Sequence, residues 1–136
     1  MKSLIVEDDF AARRLMQIYL AAYGECSIAI NGVEAVNAVK LAIQEDAPYD
    51  LICLDIMMPI MDGTEALAKI RQFEKENGIG DNEMAKVIIT TAKNLSTETT
   101  SAFKKGYEAY LIKPIRKKNL VDQIKKMGIL KSKYHV

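Results

Sequence analysis

LICLD at residues 51–55, followed by IMMPIMDG at residues 56–63, decides the fold of this chain. Four apolar residues with no polar alternation read as a strand covered on both faces. The run ends on a carboxylate, Asp55. A few residues on, Asp62 can cap a helix whose inward positions are Leu67, Ile70 and Phe73. Strand, acidic turn and helix make one βα unit.

Outward from that stretch the same unit recurs. Apolar runs lie at 3–6, 26–30, 51–54, 87–90 and 109–112, each four or five residues long. The second is milder than the others and suits a sheet edge. A helix at 11–23 carries Leu15, Ile18, Tyr19 and Ala22 at helical spacing and stops at Gly24. Asn31 and Glu34 form a capping box for a helix with Val36, Val39 and Ile43 inward. Ser96 can open a short fourth helix that ends at Gly106. A fifth begins after Pro114 and presents Leu120, Ile124 and Met127. The stretch 77–85 has two glycines and no period, so it reads as a solvated loop. Five βα units in a row predict an α/β, doubly wound five-stranded parallel sheet with right-handed crossovers. Such sheets bind ligands at the carboxyl ends of their strands.

Bulk properties narrow the class. The 136 residues are 49% apolar and 27% charged, as in an ordinary single globular domain. Nineteen basic against eighteen acidic residues leave no field that would favour nonspecific nucleic-acid or membrane binding. Cys26 and Cys53 sit in apolar stretches and read as reduced core thiols, although a disulfide is possible on count. The apolar run in MKSLIVEDDF is too short for a signal-peptide core, and none approaches the roughly 20 residues of a membrane span. The cytoplasm is the expected compartment.

The strand ends carry the chemistry. They are Glu7-Asp8-Asp9, Asp55, Thr91 and Lys113-Pro114. Taken singly each has a bland reading: an acidic pair is more often a helix cap, a Lys a solvated surface residue, a Thr a cap. Parallel strands bring all of them to one edge. Crowded carboxylates repel, and a hard divalent cation is the simplest neutraliser. Mg²⁺ accepts one or two protein carboxylates, several waters and phosphate oxygens. With an ammonium and a hydroxyl opposite, Asp55 becomes a carboxylate nucleophile for phosphoryl transfer, a reaction that needs mostly positioning and charge neutralisation.

The segments VEDD, DIMMPIMDG, ITTA and YLIKPI, in that order, resemble those of response regulator receiver domains, the CheY-like phospho-acceptors of two-component signalling. The likeness runs from Lys2 to about Met127. It implies a flavodoxin-like (βα)5 fold with strand order 2-1-3-4-5, which CheY itself exemplifies. It implies that Asp55 is the phospho-acceptor, with Mg²⁺ held by Asp8, Asp55, the Met57 carbonyl and, through water, Glu7. Thr91, Ala92 and Lys113 match the phosphoryl-binding positions, and Thr91 with Tyr110 the switch pair. Lys113-Pro114 matches a cis peptide. Two features depart from the commonest pattern. The first acid of the pair is Glu7 where Asp is more familiar, and Met57 and Lys93 fill the positions that tune phosphoryl lifetime. Asp9 reads as the cap of the first helix. Tyr110 also has a plain reading as a packed strand aromatic. The seven Met residues read as filling, and His135 as a tail residue.

The resemblance implies a switch more than an enzyme, one that phosphorylates and dephosphorylates itself. A sensor histidine kinase, a phosphotransfer protein or a small phosphodonor would supply Asp55. Phosphorylation would bias two conformers and alter the face made by the fourth helix, fifth strand and fifth helix, for a downstream protein or a second copy to read. The domain is expected over residues 1–127, with a short basic tail at 128–136. A stand-alone regulator and the receiver module of a hybrid kinase or larger regulator both fit. A phosphatase of the haloacid dehalogenase type also uses a strand-end Asp, but it needs a second Asp where this chain has Met57. A degenerate receiver that only binds a partner is disfavoured because every chemical position is filled.

Overall fold

The alternation of strand residues between two faces organises the molecule. The computed structural model describes residues 1–58, 60–92 and 106–130. Five strands, β1 (Ser3–Val6), β2 (Cys26–Ala29), β3 (Leu51–Asp55), β4 (Lys86–Thr91) and β5 (Ala109–Ile112), form one parallel sheet in the order β2-β1-β3-β4-β5. Helices α1 (Phe10–Leu20), α2 (Gly32–Gln44), α3 (Gly63–Glu76) and a C-terminal helix (Lys117–Met127) cover it. The helix expected from Ser96 lies outside the described residues.

Leu4, Val6, Ile52, Leu54, Val87 and Ile89 form one core with Val36 and Val39 of α2 and Leu67 and Ile70 of α3. The residues between them, Ile5, Leu51, Cys53 and Ile88, form a second core with Met16 and Leu20 of α1 and with Leu120 and Ile124 of the C-terminal helix. The central strands are therefore dry on both sides, as their unbroken apolar runs predict. β2, the milder run, lies at an edge. Cys53 is buried and Cys26 half-buried, both as free thiols.

Local signals set the helix starts. Asp9, Asn31 and Asp62 each cap a helix by accepting from the amide three residues on, in Ala12, Glu34 and Glu65. Glu34 also reaches back to the Ile30 amide, which completes a capping box. Helix α1 is shorter than the sequence predicts. It ends at Leu20, passes into a 3-10 turn at Ala21–Tyr23, and buries Met16 and Leu20, while Ile18 is 58% exposed. Of the residues at helical spacing, Tyr19 packs against the second core while Leu15 and Ile18 are exposed. In α3 the half-buried Phe73 yields the fully inward position to Glu74. Packing continues beyond Met127, since Leu130 is 6% exposed and belongs to the second core.

Candidate functional site

Register brings the acids together. Val6 pairs with Leu54, so Glu7 and Asp55 are the next residues along two adjacent strands. Both continue the side of the sheet defined by Ile5 and Cys53, and each is only 3% exposed. Asp8 stands beside them in solvent. One carboxylate oxygen from each of Glu7, Asp8 and Asp55 lies within 4.8 Å of the others.

Lys113 is the cation in this cluster. It follows β5, whose Ile112 pairs with Thr91, and its amide donates to the Thr91 carbonyl at 2.6 Å. The peptide to Pro114 is cis. Tyr19 of α1 donates to the Ile115 carbonyl at 3.3 Å and ties this loop to the first helix. Lys113 Nζ lies 2.5 Å from Glu7 Oε1 and 3.1 Å from Asp55 Oδ2. The second oxygen of Asp55 accepts from the Met57 amide at 3.0 Å, and the second oxygen of Glu7 from the Asp9 amide at 3.2 Å. Each buried carboxylate is thus held at both oxygens, as buried charges must be.

The charge balance remains negative. Burial, reinforced by Asp55 and opposed by the Lys113 hydrogen bond, pushes the Glu7 carboxyl from 4.5 up to about 7. Burial alone would lower Lys113, but Glu7 and Asp55 more than offset it and hold its ammonium above the ordinary value. The cluster offers hard oxygen donors and is short of positive charge, which fits Mg²⁺ and its retained waters. Backbone closes the site from below. The Gly63 amide donates to the Ile56 carbonyl at 3.3 Å, and a Cβ there would stand 2.6 Å from Ile56 Cα and 2.7 Å from the Asp55 carbonyl oxygen. Only glycine lets α3 start so close to the end of β3.

Thr91 is buried at the end of β4, and Ala92 follows it in solvent. Met57 is exposed beside Asp55. Tyr110 is 40% exposed on the edge strand, so it is not sealed beneath the C-terminal helix. Asp9 caps α1 and takes no part in the acidic triad. Lys93 and His135 lie outside the described residues. The direct pairing of Lys113 with Glu7 escapes sequence reasoning, although the longer reach of Glu over Asp is its signal. The role of Gly63 escapes it too, its one hint being a glycine directly after a capping Asp.

Comparison with known proteins agrees with this geometry. Residues 3–125 match the response regulator receiver domain family, and the chain belongs to that family. It is 33% identical over 138 residues to hybrid signal transduction histidine kinase G of Dictyostelium discoideum, covering 99% of this chain and 4% of that protein. The Arabidopsis thaliana histidine kinase CKI1 receiver domain, solved in complex with Mg²⁺ and BeF3⁻, superposes with a TM-score of 0.80 at 25% identity, over 93% of this chain and 89% of that one. The receiver domain of Saccharomyces cerevisiae Ssk1, solved with the histidine phosphotransfer protein Ypd1, is similar at a TM-score of 0.79 and 31% identity, over 94% and 88% of the two chains. This is a receiver domain related to those of response regulators and hybrid histidine kinases.

Proposed function

We propose that Asp55 accepts a phosphoryl group and that the domain switches on that event. The observation that carries this reading is a buried carboxylate oriented at both oxygens, by Lys113 and the Met57 amide, beside two more carboxylates. An oxygen of Asp55 bonds to phosphorus, the bond from phosphorus to the donor's ring nitrogen breaks, and that nitrogen leaves with the electron pair. Lys113, already on Asp55 Oδ2, follows the negative charge onto the arriving oxygens. Mg²⁺, held by Asp8, Asp55, the Met57 carbonyl and Glu7 through water, would neutralise phosphoryl oxygens when bound. Thr91 and the Ala92 amide complete the set of donors.

Thr91 moving toward the phosphoryl group, with Tyr110 following, is the proposed switch. Tyr110 and Ile112 are exposed apolar residues of the edge strand β5, on the sheet face opposite the C-terminal helix, which supports a downstream partner or a second copy binding there after phosphorylation. The donor is a sensor histidine kinase or a phosphotransfer protein, as in the Ypd1 complex of the similar Ssk1 receiver. A second reading makes the chain the receiver module of a hybrid kinase, supported by the match to 4% of kinase G. Among the described residues no helix is long and apolar enough to cross a membrane, and the cytoplasm is the proposed setting. In the test, acetyl phosphate with Mg²⁺ labels the wild type. Labelling vanishes in Asp55→Asn, and a variant that labels normally would remove the claim.

A further inference from the structure

Between α1 and the loop after β5 lies an open cleft of about 410 Å³. Ala11, Ala12, Leu15 and Met16 of α1 wall it on one side, and Pro114 and Ile115 on the other. Its floor is polar, formed by Glu7, Thr90 and Lys113, and strand register sets it. Thr90 pairs with Asp55 and lies two residues beyond Ile88, so it continues the side of the sheet that packs against α1. Thr90 is the anomaly on this floor. Only 4% of it is exposed, and among the described residues its hydroxyl makes no hydrogen bond. Buried hydroxyls normally have a partner. Here the neighbouring acids and ammonium are engaged with one another, since Lys113 holds an oxygen of both Glu7 and Asp55. Thr90 therefore has only the cleft to draw a partner from.

We propose that this cleft is a binding site for a small aromatic molecule with one uncharged hydrogen-bonding head, such as a phenol. The head bonds the Thr90 hydroxyl, and the ring lies along the α1 wall. The volume falls in the range of small-molecule pockets, and apolar walls with a few polar groups at one end are their usual composition. Ala11 and Ala12 leave room for a flat ring, and the Met16 thioether packs well against one. The head must be neutral. A carboxylate would meet Glu7 and Asp55. An ammonium would have to displace Lys113 from them, and either charge would give up water on entering. A hydroxyl can both donate to Thr90 and accept from it. Occupancy requires no phosphorylation, so the site goes beyond the role proposed for Asp55 and does not rest on it.

The test titrates naphthol, naphthoate and naphthylmethylammonium, which share a ring system and differ in the head. Binding is read without Mg²⁺ from amide NMR shifts of the wild type, Thr90→Val and Ala12→Leu. Naphthol should saturate shifts at Ala11, Ala12, Thr90 and Ile115 and raise Tm as its concentration rises. Each charged probe should bind about tenfold more weakly or not at all. Thr90→Val keeps the shape and removes the hydroxyl, so naphthol affinity should fall about fivefold, the worth of one neutral hydrogen bond. Ala12→Leu fills the cleft and should abolish binding while the free variant keeps the wild-type Tm. Naphthol that shifts none of these amides up to its solubility limit overturns the proposal. So does equal binding of the three probes, or undiminished naphthol affinity in either folded variant. Should Thr90→Val fail to fold, Ala12→Leu and the comparison of heads decide the matter without it.

Discussion

Replacing Glu7 by Gln in metal-free buffer should make the domain more stable above neutral pH, and the structure sets the scale. Glu7 is buried next to Asp55, and its carboxyl rises from 4.5 to about 7. Each tenfold change in proton affinity is worth roughly 1.4 kcal/mol, so that rise corresponds to about 3 kcal/mol. The sign follows from proton linkage. The folded state holds the Glu7 proton more tightly than the unfolded state does, so the contribution is fully present below about pH 4.5 and is lost as pH climbs through about 7. Glu7→Gln carries no such proton, and Lys113 still has Asp55 as its partner at 3.1 Å. Urea unfolding followed by far-ultraviolet circular dichroism, in EDTA from pH 4.5 to 8, reads the difference. The wild type should lose up to about 3 kcal/mol relative to the variant across this range. Excess Mg²⁺ should reverse the order at pH 8, since a ligand at 100 times its Kd stabilises by about 2.7 kcal/mol and the variant has lost one carboxylate. Parallel stability curves for the two proteins in EDTA would rule out a Glu7 proton held in this way.

Two further substitutions test the scaffold. Gly63→Ala forces the start of α3 away from β3, because the new Cβ meets backbone at 2.6 Å and 2.7 Å; a loss of about 1–3 kcal/mol in urea unfolding and slower acetyl phosphate labelling should follow. Glu74→Ala strips a buried acid that accepts from Arg71 at 2.8 Å and from the Ala85 amide at 2.9 Å, and breaking such a pair should cost about 3–5 kcal/mol by the same measurement, with labelling per folded molecule preserved.

Much of this molecule is legible in its sequence because the signals are local or repeated. Apolar runs locate all five strands within a residue or two, and Asp9, Asn31 and Asp62 announce their helices through cap chemistry that acts within three residues. The acids and Lys113 are legible as a group because parallel strands leave only one edge for their ends. What stays hidden depends on contacts across sequence. The inward face of α1 is set by which stripe meets the sheet, and Ile18 carries no mark of lying outside it. Glu74 looks like any charged helix residue, yet it is buried because Arg71 also reaches the Ala85 and Gly106 carbonyls and Glu108, tying α3 to the starts of β4 and β5. The Glu7–Lys113 contact depends on side-chain reach, and the left-handed backbone of Ile60 contradicts its residue type. Local preference gives no warning of either.

Whether Asp55 carries the phosphoryl group is decided most directly by locating that group on the protein. The wild type is phosphorylated with acetyl phosphate and Mg²⁺, the acyl phosphate is trapped, and the digested chain is mapped by mass spectrometry. One modification is expected, on the peptide containing Asp55 and absent without Mg²⁺. A phosphoryl group on any other residue, or none under conditions where the protein is folded and Mg²⁺ is bound, would contradict the assignment.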